Sequence, residues 1–111
     1  MLASPPLLMP PDQLRRLFEK LSSEWHRETD MLSDSARAAM HPAYQRIIGL
    51  GPQVVPLVLA EMRDRGGHWF WALRAITGED PVGPELGGRI RLMKEAWLAW
   101  GQEKGYLMEP G

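Results

Sequence analysis

Three histidines, His26, His41 and His68, are the side chains best suited to ligate a metal or move a proton near neutral pH. Gaps of 15 and 27 residues separate them, so no H-x-x-x-H or H-E-x-x-H step exists to set two imidazoles on one helix face. The chain has no cysteine, which removes thiol catalysis and the commonest partners of histidine at zinc. His41 and His68 instead stand where they would cap the helices beginning at Pro42 and within HWFWALRAIT. Ser22, Ser23, Ser33 and Ser35 fall on a helical face or in a capping stretch, and no G-x-S-x-G elbow surrounds any of them. Gly49-Leu50-Gly51 follows no strand, and Gly66-Gly67 precedes no lysine, so neither forms a phosphate loop. Glu79 and Asp80 are neighbouring carboxylates in a loop, and acid–base work would require a cleft that raises one pKa. The expectation is a protein with no catalytic residues, no metal and no cofactor.

The densest unusual feature is His68-Trp69-Phe70-Trp71, followed by Arg74. On a helix Trp71 and Arg74 are i,i+3 neighbours, while successive rings point about 100° apart, so one face cannot bury all three. Two readings stay open. Two rings can build the core while the third covers its edge, with Arg74 paired to Glu79 or Asp80; alternatively Trp69 or Trp71 faces a partner, since Trp and Arg dominate binding hot spots. Four of the five tryptophans lie at 69, 71, 97 and 100, which makes Trp69, Trp71, Arg74, Trp97 and Trp100 the candidate partner-binding residues.

Charge and length bound the partner. The 111 residues carry 13 basic and 14 acidic side chains, mixed along the chain without a cationic tail, which disfavours nucleic acid. A nucleic-acid role would need Arg63, Arg65, Arg74, Arg89 and Arg91 to form a patch in the fold. Apolar runs of only a few residues fall far short of the ~20 needed to span a bilayer, and no signal-peptide pattern is present, so no membrane and a cytoplasmic location are expected. One core without disulfide or metal staples suits a chain of this size.

The elements that must position these residues are helical throughout. MLASPPLLMPP holds four prolines in eleven residues and reads as an extended arm over 1–11, ahead of one domain over 12–111. Leu14, Leu17, Phe18, Leu21 and Trp25 then recur at helical spacing, ending near Arg27 or Glu28. Ser33 or Ser35 is placed to cap a short helix in SARAAM, which must stop before Pro42 starts PAYQRIIG. Gly49-Leu50-Gly51-Pro52 is a tight turn into a helix reaching Asp64, whose Val54, Val55, Leu57, Val58 and Leu59 are apolar nearly all round. HWFWALRAIT stops at Gly78, EDPVGPELGG is a loop, and a last helix spans about Gly88 to Lys104. The fold class is all-α: a compact bundle of about five short helices packed as hairpins, with no sheet.

Residues 41–78 resemble a HEAT/Armadillo-type repeat: a short helix ending in Ile-x-x-Leu-Gly, a proline-started helix with Val-Pro-Leu-Val-Leu, then Ala-Leu-x-x-Ile-Thr-Gly. Gly51, Pro52 and Pro56 stand where such repeats place their turn glycine and bending proline. The chain departs from that family in having room for only one and a half units, short of a stacked solenoid. The span from Trp25 to Tyr106 also resembles a group of small bacterial proteins of unassigned activity that share His-Pro-Ala-Tyr-Gln and Trp-Phe-Trp-Ala-Leu-Arg-Ala-Ile-Thr-Gly. The resemblance implies a protein-binding surface without catalytic apparatus. It points to a small module that regulates or assembles a protein partner in a mobile-element, defence or toxin–antitoxin setting. An accessory nucleic-acid binder is the alternative, and self-association through the helix carrying Trp97 and Trp100 is a further possibility.

Overall fold

The computed structural model describes residues 8–83 and 89–107. Among these residues six α-helices run α1 (Pro11–Thr29), α2 (Ser35–Ala39), α3 (Pro42–Gly49), α4 (Val55–Asp64), α5 (Phe70–Thr77) and α6 (Ile90–Glu103), with a 3-10 turn over Gly51–Val54. No strand occurs among the described residues. Most of the arm, and the start proposed for the last helix at Gly88, lie outside them. At the arm's inner end Leu8 is exposed, while the Met9 amide donates to Gln53 Oε1 at 2.9 Å.

Helix starts follow from who supplies an acceptor for the free amides of the first turn. Pro11 begins α1, where its missing N–H costs nothing, and Leu14 N bonds Pro10 O at 2.9 Å. Asp34, rather than Ser33 or Ser35, caps α2: its Oδ1 accepts from Ala36 N at 3.0 Å and Arg37 N at 3.4 Å. An extended Asp34 backbone lets the short carboxylate reach both amides, and Ser35 is already inside the helix. His41 caps α3 as its position suggests, with Nδ1 accepting from Ala43 N at 3.0 Å while Nε2 meets Glu28 Oε1 at 3.0 Å. An accepting Nδ1 fixes the proton on Nε2, so the imidazole donates to Glu28.

The apolar segment after Gly51 divides into the 3-10 turn and α4 instead of one continuous helix. Pro56 sits in the first turn of α4, where it has no N–H to give to the carbonyl of Pro52, so the α pattern starts there instead of earlier. Gly51 makes the preceding corner at φ 77, a left-handed conformation that side chains with a Cβ disfavour.

Packing joins alternate helices most extensively: α1 with α3, α3 with α5, and α4 with α6. The five-residue α2 is too short to bury a full face and leans on α3. At the centre, Trp69 stacks on Tyr44 with an interplanar angle of 8° and a centroid separation of 5.4 Å, and meets Trp25 at 4.5 Å. Trp25 anchors α2 by donating from Nε1 to Ala38 O at 2.8 Å. Gly101 lets α6 close on α4, since a Cβ there would stand 2.7 Å from Leu59 Cδ1.

Candidate interaction face

The geometry of α5 decides which tryptophan meets solvent. Phe70, Ala72 and Leu73 are buried, so the 3.6-residue period turns Trp71, Arg74 and Ala75 outward. Trp69 precedes the helix, and its ring is fully buried in the aromatic centre with Nε1 donating to Gly66 O at 3.2 Å. Trp71 is 49% exposed, whereas Trp25, Trp69, Trp97 and Trp100 are each 9% exposed or less. Arg74 is exposed beside it, with Nε 3.8 Å from Asp80 Oδ2. The structure therefore brings Trp71 and Arg74 together at the surface and places Trp69, Trp97 and Trp100 in the interior. Trp97 meets Trp100 edge to face at 5.2 Å, and Trp100 Nε1 donates to Glu79. Glu79 is thus engaged by an indole, and Asp80 is the carboxylate nearest Arg74.

The helix presenting Trp71 is held from α3. His68 does not cap α5; the position before the helix is Trp69, whose side chain offers no acceptor. The Tyr44 hydroxyl fills that role by accepting from Ala72 N at 2.9 Å and donating to His68 O at 3.0 Å. Burial pushes the Tyr44 phenol well above its ordinary value, against the smaller opposing effect of the Ala72 amide. It remains a neutral hydroxyl able to serve both bonds. The tyrosine's contribution is not visible in the sequence, because helix caps come from neighbouring residues far more often than from a side chain 28 positions away.

Trp71 lines three depressions, of which two are larger. One, of about 440 Å³, lies between α2, α3 and α5; Ala39 and Ala75 line it with Met40, Ile48 and Trp71, and Arg37 is its sole ionised lining residue. Met40 is 73% exposed. The other, of about 450 Å³, runs toward α6 past Phe70, Val82, Met93 and Trp97, with Arg74 and Asp80 also lining it. The buried Trp97 Nε1 has no hydrogen-bond partner there among the described residues.

Each helix around the first groove carries one ionised side chain, and each is an arginine: Arg37 on α2, Arg46 on α3 and Arg74 on α5. No aspartate or glutamate lies within these three helices. Helical carboxylates fall instead on α1, α4 and α6, as with Glu24, Glu61 and Glu95. Arg37 and Arg46 form no ion pair among the described residues.

A second polar cluster, absent from the sequence reading, lies between α1 and α4. Ser22 Oγ donates to Glu61 Oε2 at 3.0 Å, and His26 Nε2 lies 3.0 Å from the same oxygen. Serine and histidine both meet the carboxylate instead of each other, so the imidazole is not placed to take the serine proton. Ser22 is also buried. The cluster ties α1 to α4. Its i,i+4 pair, Ser22 and His26, is legible on α1, but Glu61 joins it only through the fold. Among the described residues no three His, Asp or Glu side chains gather to hold a metal ion, and no helix is long and apolar enough to cross a membrane. No family model, no curated protein and no solved structure matches this chain.

Proposed function

We propose that the protein is a small non-catalytic interaction module of the cytoplasm, built of HEAT-like helical units, that binds a protein partner and regulates or assembles it. The observation that carries this reading is Trp71, the one tryptophan of five turned to solvent, standing between two apolar depressions. A large half-exposed ring beside an arginine is the composition of binding hot spots. An exposed apolar surface with a polar rim is what a docking site requires. The HEAT-like reading draws support from the corner at Gly51, the proline-started turn after it and Pro56 at the head of α4.

A folded arginine patch for nucleic acid is less well supported. Arg63 Nε lies 2.9 Å from Asp64, Arg65 Nε 4.0 Å from Glu61 and Arg74 Nε 3.8 Å from Asp80, so carboxylates stand beside three of its five members. Self-association through Trp97 and Trp100 would require two rings that are buried within the monomer.

Affinity capture from the cells that produce the protein, with wild type and Trp71→Glu side by side, tests the proposal. Wild type should retain a specific protein that the variant loses while its far-UV circular dichroism is unchanged. Capture of nothing, equal capture by both, or retention of nucleic acid alone would overturn it.

A further inference from the structure

We propose that the groove between α2, α3 and α5 seats an amphipathic segment of the partner, one whose apolar anchors are flanked by carboxylates. This rests on the interaction-module reading and adds the chemistry of what is bound. Near-neutral charge over the whole chain conceals a local asymmetry: the three helices around the groove carry Arg37, Arg46 and Arg74 and no acid, and of these Arg37 lines the groove itself. The nearby acids are committed elsewhere, since Asp34 caps the amides of α2 and Asp80 faces Arg74. Arg37 lies on the groove wall without an ion pair among the described residues, so a carboxylate arriving with the ligand meets an arginine that none of their acids neutralises.

Shape agrees with charge. Ala36, Ala39 and Ala75 allow a backbone to approach closely, while Met40, Ile48 and Trp71 offer pliable and flat apolar contacts. A volume of about 440 Å³ falls in the range of sites that enclose several apolar groups. Anchors spaced i, i+4 and i+7 along a helix are the usual way to fill such a groove. A second copy docked face to face would set arginine against arginine, which disfavours self-occupancy. Single-stranded nucleic acid would need successive stacking platforms, whereas Trp71 is exposed and the other ring lining the groove, Tyr44, is fully buried.

The test titrates the full chain, labelled with nitrogen-15, with two synthetic amphipathic helices sharing leucines at i, i+4 and i+7, one flanked by glutamates and the other by lysines. A single-stranded oligonucleotide is the third probe. The glutamate peptide should move the Trp71 indole and the amides of α2, α3 and α5. It should bind up to about tenfold more tightly than the lysine peptide, because Arg37, the one ionised residue lining the groove, attracts the glutamates and repels the lysines. Arg37→Glu should narrow or reverse that preference, and Met40→Glu, at a side chain 73% exposed and therefore safe for folding, should abolish binding. Equal binding of both peptides, perturbation confined to another face, or preferential binding of the oligonucleotide here would overturn the proposal. Failure of both peptides while Trp71-dependent capture of a partner succeeds would remove this inference and leave the module reading standing; failure of both experiments would remove both.

Discussion

Replacing Tyr44 with phenylalanine isolates a single oxygen that holds α5 in place. The ring remains, so its stack on Trp69 at 5.4 Å and the buried apolar area are retained. What disappears is the acceptor for Ala72 N and the donor to His68 O. His68 is exposed, and water can take over its carbonyl, whereas Ala72 is fully buried and its amide is left without a partner. An unsatisfied buried donor costs about 1–3 kcal/mol, so Tyr44→Phe should destabilise the domain by about 2 kcal/mol. For a domain of this size that lowers the melting temperature by roughly 10 °C. Urea unfolding followed by circular dichroism gives the free energy, and amide exchange at Ala72 reports the local effect. Exchange there should accelerate, because the first turn of α5, which carries Trp71, loses its cap. A change within about 0.5 kcal/mol, the scatter of neutral surface substitutions, with Ala72 equally protected, would refute the capping role.

Further outcomes follow from other contacts. Burial raises the Tyr44 phenol above 10.0, so the folded state holds that proton more tightly than the unfolded chain, and stability should fall as pH climbs past about 10. Tyr44→Phe should lack that part of the slope in alkaline unfolding curves, and an unchanged slope would count against the burial effect. Glu61→Ala leaves the buried Ser22 hydroxyl without its acceptor and should cost about 1–3 kcal/mol by urea unfolding, while Ser22→Ala should cost clearly less. Gly101→Val places a Cβ where 2.7 Å separates it from the buried Leu59 side chain and should cost about 1–3 kcal/mol. Gly101→Ala should cost less, since a gain of about 1 kcal/mol in helix propensity opposes the overlap. Gly78 ends α5 at φ 71 with open space around it, so Gly78→Ala should cost about 1–2 kcal/mol by urea unfolding from backbone strain alone, and Gly78→Asn less.

Local signals carried much of the architecture. The spacing of Leu14, Phe18, Leu21 and Trp25 marks the face that α1 buries, and Pro42 with His41 marks the start of α3, because both are effects within one or two turns of chain. The 3-10 turn before α4 follows from Pro56 and is less visible, since branched apolar residues on both sides read as one continuous segment. For the proposed interaction face, composition located the tryptophans but not their exposure. Helical spacing predicted that Trp69, Phe70 and Trp71 cannot share one face, yet which ring stays outside depends on Trp69 preceding the helix and turning into the Tyr44 and Trp25 rings. Trp97 and Trp100 lie three positions apart on α6 and together face inward. The charge at the groove was equally hidden: α2, α3 and α5 are separate in sequence, and only the fold sets Arg37 beside the apolar side chains of Met40, Ile48 and Trp71.

The most direct test of an interaction face centred on Trp71 uses the five indole N–H resonances of nitrogen-15 labelled protein, recorded with and without the partner retained by wild type. The Trp71 indole, alone among five in being half exposed, should shift and lose its solvent exchange on binding, while those of Trp25, Trp69 and Trp97 hold their positions. A bound complex in which the Trp71 resonance does not move, or no partner at all, would contradict the account.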